Sequence, residues 1–203
     1  GLTLLALASA AFAFTFTTID VPGSTYTAAY GVNAAGQIVG QYSDGAVFHG
    51  FRRDTDGTFT TIEPPTATTG GAFGINKAGQ IVGPFSEGSI QRGFLRNTDG
   101  SFIPFDVPAS QRTEAYGIGK AGLIVGFYRE ANNAGHGFLR DAIGTIGTID
   151  VPGAVFTLAS GINKAGQIVG QYSDGAAVHG FRRDTDGTFT TIDVPGALGT
   201  FPT

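Results

Sequence analysis

The chain has 203 residues, enough for one large domain or one repeat array. Its 12 basic and 16 acidic residues give a formal net charge of −4, which leaves no electrostatic footprint for nucleic acid and no polybasic patch for anionic lipid. There is no Cys, which excludes disulfides, thiolate zinc sites and cysteine nucleophiles. Glycine is high at 33 residues and Thr and Phe are abundant, so the composition points to an all-β protein rich in turns.

Residues 1–13 read GLTLLALASAAFA. The run is too short to span a bilayer as a helix, which takes about 20 residues. It fits the apolar and cleavage regions of a secretory signal peptide, with small-x-small sites at Ala8-Ser9-Ala10 and Ala11-Phe12-Ala13. The alternative is a buried apolar segment at the domain edge. Lacking an initiator Met and a basic leader, it reads as a partial signal peptide. Residues 14–203 read as one repeat domain. Its first piece, 14–21, resembles the last strand of a repeat without the rest of it.

Glycine anchors recur at Gly31, Gly74, Gly117 and Gly161, with spacings of 43, 43 and 44 residues. A constant period of this size marks a repeat architecture. Four units lie near 28–65, 71–108, 114–152 and 158–195. Each holds four strand-like runs; in the first unit they cover 29–33, 37–43, 48–54 and 58–63. Asp44-Gly45 and Asp56-Gly57 close tight hairpins, because such turns need a positive φ. Val-Pro-Gly or a variant ends each unit, since Pro has no N–H for the ladder.

Four antiparallel strands in about 43 residues match one blade of a β-propeller. The expected fold is therefore an all-β propeller of four-stranded antiparallel blades, with four full repeats. A β-solenoid or an open stack of sheets is the alternative. Ile38, Ile81, Ile124 and Ile168, their Val neighbours, and Phe51, Phe94, Phe138 and Phe181 are the expected core between blades. The strand glycines Gly40, Gly83, Gly126 and Gly170 are expected where backbones approach closely near the axis. Residues 31–63 and 161–193 agree at 28 of 33 positions, the mark of a recent duplication. A fifth anchor would fall at residue 204, so the chain reads as a fragment of a larger propeller, an arc or a strained closure.

The recurring Gly-Ile-Asn-Lys-Ala-Gly-Gln-Ile-Val-Gly segment, followed by His-Gly-Phe and a Gly-Thr-Phe-Thr-Thr-Ile-Asp strand, resembles the bacterial extracellular HAF-type repeats. The triplet stands at His49-Gly50-Phe51, His136-Gly137-Phe138 and His179-Gly180-Phe181. The second unit departs with Arg92, and the third with Gly119 and Leu123. The resemblance covers 14–203. It implies a propeller-like fold and an extracellular or envelope location, and carries no activity.

His49, His136 and His179 occupy one repeat position and are the candidate ligand-binding residues. They are either a ring of ligand or sugar-binding groups, or strand residues bonded to a neighbouring turn. Metal binding would require them to converge, and no metal or cofactor site is expected. Asp54-Thr55-Asp56-Gly57 resembles the start of a calcium loop but stops after two acids, so a hairpin turn is expected. Asn33, Asn76 and Asn163 are expected to bond local backbone. No nucleophile–base–acid set, metalloprotease motif or phosphate loop is present. The asymmetric polar residues Arg112, Glu114, Arg129 and Glu130 read as solvated loop, or Arg112, Glu114 and Glu130 as the wall of a catalytic cleft. Tyr26, Tyr30, Tyr116 and Phe156 either pack between blades or stack on sugars.

The sequence thus points to an exported, non-catalytic repeat module for binding or cell-surface and matrix interaction. Its expected partner is a glycan or an envelope protein, with no nucleic acid and no membrane span. A hydrolase or lyase using one propeller face, and a purely structural surface protein, are the alternatives.

Overall fold

The protein is described here from a computed structural model that covers residues 16–197 and 199–202. The signal-peptide reading of 1–13 falls outside the described residues. Over the rest, the repeat pattern becomes four antiparallel units. The first is β1 (Tyr26–Val32), β2 (Ile38–Ser43), β3 (Phe48–Arg53) and β4 (Phe59–Ile62), paired in that order. In the second the inner strand is split into β5 (Thr69–Gly70) and β6 (Gly74–Ile75), followed by β7 (Ile81–Glu87), β8 (Ile90–Arg96) and β9 (Phe102–Phe105). The third is β10 (Ser110–Ile118), β11 (Ile124–Glu130), β12 (Gly135–Arg140) and β13 (Ile146–Ile149). The fourth is β14 (Phe156–Ile162), β15 (Ile168–Ser173), β16 (Val178–Arg183) and β17 (Phe189–Ile192).

The hairpins form where the Asp-Gly pairs stand. Gly57 takes φ +91° and donates its N–H to Asp54 O at 3.0 Å, while Asp56 accepts from Thr58 N at 2.9 Å. The Asp54–Gly57 segment is thus a hairpin turn. The inner strands begin earlier than the unit boundaries read from sequence. A bulge between Ala29 and Gly31 resets the register, and pairing then continues out to Tyr26 opposite Ser43. The same bulge recurs between Ala115 and Gly117 and between Ala159 and Gly161.

Both faces of an interior unit are covered, so Ile and Val of the second strand are both buried despite pointing oppositely. Ile81, Val82, Ile124 and Val125 have no exposed surface. One core gathers Val39 and Ile62 of the first unit with Ala72, Ile75, Ile81, Phe85 and Phe94 of the second. The next junctions repeat it, around Val82 and Phe138 and around Val125 and Phe181. Backbone pairing between units is sparse. One parallel bridge, Arg112 to Gln91, joins the second and third units, and one, Gly135 to Phe156, joins the third and fourth.

The glycine contacts and the first residues described refine the picture. The second-strand glycines do mark close approach, and the backbone they approach belongs to their own unit. A Cβ on Gly126 would collide with the carbonyl of Glu114 in the bulge of its own unit and meet the Phe138 ring at 2.7 Å. The anchor glycines approach the backbone of the next unit. A Cβ on Gly74 would lie 2.9 Å from Tyr116 O, and one on Gly117 would lie 3.1 Å from Ser160 O. Residues 16–21 form no strand, and Phe16 is almost wholly exposed. β17, the last strand, pairs only with β16. No strand pairing joins the first unit to the last among the described residues. Nor is any described helix long and apolar enough to cross a membrane.

Candidate functional site

The three histidines open the third strand of their units, beside the turn that precedes it. Each ring stacks on the tyrosine opposite, His49 on Tyr42, His136 on Tyr128 and His179 on Tyr172, with centroids 5.0–5.1 Å apart. Each also sits between two carboxylates of its own unit. His49 Nδ1 lies 3.1 Å from Glu63 and its Nε2 3.3 Å from Asp44. His136 has Asp150 at 2.9 Å and Glu130 at 3.9 Å; His179 has Asp193 at 2.9 Å and Asp174 at 3.5 Å. In the second unit Arg92 takes the same place, 3.3 Å from Asp106 and 3.5 Å from Glu87. The recurring element is therefore a cation between two acids.

The electrostatics follow that arrangement. The hydrogen bond to Asp193 pushes His179 up from the ordinary histidine value. Backbone N–H groups of Val47 and Ala46, with His49 beside them, hold Asp44 down to about 2. Burial pushes Asp106 up, opposed by Arg92. No group of three or more His, Asp or Glu among the described residues is disposed to hold a metal ion.

The asparagines form Asx turns. Asn33 Oδ1 accepts from Ala35 N and Gln37 N at 3.0 and 3.1 Å. Its amide reaches Gln37 and, across the junction, Asn76 O at 3.2 Å. Gln37 continues to Asp54 at 2.7 Å, and Arg52 closes on Asp54 at 2.9 Å. Asn163, Gln167, Asp184 and Arg182 repeat the chain in the last unit.

The asymmetric feature lies on the inner strands. At one repeat position these carry Ala28, Gly71, Glu114 and Leu158; two residues on they carry Tyr30, Phe73, Tyr116 and Ser160. Gly70 and Gly71 split the second unit's inner strand and open a cleft of about 180 Å³ between the first three units. Its wall includes Gln41, Phe48, Phe73, Phe85, Gln91 and Glu114. The Glu114 carboxylate is buried and accepts from Arg112 at 2.6 Å, Gln91 at 2.8 Å and Tyr116 at 2.7 Å. Arg112 Nε is a buried donor with no partner among the described residues. Tyr30, Phe73 and Tyr116 run as a ladder across three units, with centroids 4.7 and 5.8 Å apart. Burial raises Tyr30 and Tyr116, with the Glu114 charge adding to the second, so both remain neutral hydroxyls at ordinary pH.

Of the four asymmetric polar residues, the fold brings Arg112 and Glu114 together and separates the other two. Glu130 sits at the turn beside His136, and Arg129 lies over the Phe127 ring at 5.8 Å. The aromatics pack as well as line: Tyr26 meets Phe48 at 5.9 Å and Phe156 meets Phe127 at 5.3 Å. Sequence reasoning missed Gln91, Phe73 and the glycine pair. The available signal was the break in repeat pattern at Gly70-Gly71.

No protein-family model matches the chain, and no curated protein matches it. Solved structures do. Virginiamycin B lyase from Staphylococcus aureus aligns at 18% identity with a TM-score of 0.56, covering 84% of this chain and 57% of that one. A streptogramin B lyase aligns at 18% identity and TM-score 0.53, covering 81% and 53%. TolB from Acinetobacter baumannii aligns at 12% identity and TM-score 0.69, covering 85% and 45%. These neighbours are β-propeller proteins. The fold is all-β and propeller-like. At such identities the likeness concerns the fold alone, and the chain spans about half the length of the structures it matches.

Proposed function

We propose that the chain is four blades of a larger propeller of the HAF-repeat type. In this reading it is an exported, non-catalytic module that binds a glycan or an envelope protein at its inner cleft. One observation carries this: a cleft where the inner strands break the repeat combines aromatic rings, two side-chain amides and a buried carboxylate. That combination suits a sugar ring, with apolar faces for stacking and hydroxyls for Gln41, Gln91 and Glu114. The His–carboxylate clusters are engaged within their own blades and supply rigidity. The test is a glycan array and a pull-down on extracellular polysaccharide and envelope protein, run beside Phe73→Ala. Enrichment that is lost in the variant supports the proposal; no enrichment over a folded control overturns it.

A second reading, a hydrolase or lyase, draws on the Arg112–Glu114 pair in the cleft. Among the structural neighbours is a catalytically inactive His-to-Ala variant of virginiamycin B lyase with quinupristin. Here the cleft wall contains no histidine. Mass spectrometry of quinupristin incubated with this protein tests that reading: turnover abolished by Glu114→Gln supports it, and intact substrate removes it.

A further inference from the structure

The repeat also breaks at a pair of positions near the start of each unit's first ladder. In the first unit Tyr26 stands opposite Ser43, in the second Thr69 opposite Ser86, and in the fourth Phe156 opposite Ser173. None of these pairs is charged. In the third unit Arg112 stands opposite Arg129. Directly opposed residues share a face of the sheet, with backbones about 5 Å apart, and like charges placed so repel. The third unit has a neighbour on each side, so this arrangement belongs to the interior of the array.

One of the two guanidinium groups is neutralised and the other is not. Arg112 donates to the buried Glu114 carboxylate at 2.6 Å. Arg129 takes no part in that network. It lies over the Phe127 ring, and among the described residues it forms no ion pair. The acids nearest to it along the hairpin are engaged elsewhere. Glu130 accepts from Asn132 at 3.2 Å and faces His136 at 3.9 Å, and Asp150 is held by His136 at 2.9 Å. The Nε of Arg129, like that of Arg112, is a buried donor with no partner among the described residues. Its Nη groups are not among the buried donors, and the residue is only half-buried, so the outer end of the fork reaches solvent.

We infer that the glycan taken up at the inner cleft is an acidic one, whose carboxylate sits on Arg129 and the outer edge of Arg112. This rests on the cleft reading above. Glu114 links the two places, being at once part of the cleft wall and the partner of Arg112. Because three donors already meet Glu114, its charge is compensated inside the wall, and the rim keeps the surplus positive charge of Arg129. A planar carboxylate matches the guanidinium fork and relieves the opposition between the two cations. A neutral sugar would leave that opposition in place. Polymers of uronic acids present such a carboxylate on each ring.

The experiment is isothermal titration calorimetry on the full chain with oligomers of galacturonate, mannuronate and glucuronate, each beside its carboxyl-reduced neutral form. An acid form is expected to bind about tenfold more tightly than its reduced form, the scale of one charge-assisted hydrogen bond, and to weaken as salt is added. Arg129→Ser is the matching variant. Ser43, Ser86 and Ser173 hold the same position in the other units, so the fold accepts it, and circular dichroism confirms folding. The variant is expected to lose the preference for the acid form and to bind the reduced form as the wild type does. Reduced forms bound as tightly as acid ones, or a preference that survives in Arg129→Ser, would overturn this inference and leave the cleft a site for neutral sugars. No binding of any of these oligomers would also overturn it, and the Phe73→Ala comparison on the glycan array then decides separately whether the cleft binds sugar at all.

Discussion

Replacing Glu114 by Leu tests whether the inner cleft is held by its carboxylate. Leu is what the last unit carries at this position, as Leu158, so the architecture accommodates its size. The substitution strips an acceptor from Arg112, Gln91 and Tyr116, which lie at 2.6, 2.8 and 2.7 Å. Each donor left partly desolvated costs about 1 kcal/mol, giving about 3 kcal/mol. Arg112 is 42% exposed and regains water, which keeps its share at the low end. The buried Leu returns about 1.5 kcal/mol, so the net loss is about 1.5 kcal/mol. Adding Arg112→Phe, the residue found as Phe156, removes the stranded cation and should recover about 1 kcal/mol. Urea unfolding followed by far-UV circular dichroism measures both, with the slope compared so that a loss of cooperativity along the array is seen. A single variant as stable as the wild type, or a double variant worse than the sum of the singles, would refute the reasoning.

Gly126→Ala drives a Cβ into the Glu114 carbonyl and should destabilise by about 2 kcal/mol or more, the scale of overpacking; Gly147→Ala, with nothing within 4 Å, should stay within about 0.5 kcal/mol. Denaturant midpoints for the pair check the contrast, and equal effects would contradict it. Because Asp193 raises His179, the charged form's stabilising contribution is complete below the unfolded value of about 6.5 and is lost as pH rises through the folded value. His179→Arg, which copies the arrangement at Arg92, should therefore flatten the dependence of Tm on pH between about 6 and 9; an unchanged slope would count against the pairing. Ile62→Ala should cost about 3 kcal/mol, within the range for buried Ile, and Ile192→Ala less than half of that, because the second side chain is 39% exposed against 1%. Thermal melts of the two variants decide it, and equal losses would contradict the difference in burial.

The turns and strands were legible because their chemistry is local. Asp-Gly pairs, the proline stops and the Ile-Val pairs mark hairpins and core without any knowledge of neighbours. The earlier start of β1 was not legible, since it depends on a bulge that only the pairing with β2 creates. The acids flanking each histidine had a sequence signal: Glu63, Asp150 and Asp193 each follow their histidine by 14 residues. The cleft was harder to see. It requires knowing that position 71 faces inward with positions 28, 114 and 158, and that a split strand opens space beside Gln91. Proximity in sequence groups Glu130 with Glu114, but the ladder places Glu114 opposite Phe127 and Glu130 opposite Ser110, at the end of the hairpin.

The sparse backbone pairing between units bears on how such a chain can change over generations. Within a unit the strands pair as antiparallel neighbours, whereas a junction carries at most one parallel bridge and a patch of interlocking side chains. A whole 43- or 44-residue module can be gained or lost by unequal exchange between near-identical stretches without leaving a severed ladder behind. The copy has only to bring the same apolar patch on each flank. Such junctions tolerate a change in the number of units, while the inner-strand positions that break the repeat are what set one unit apart from another.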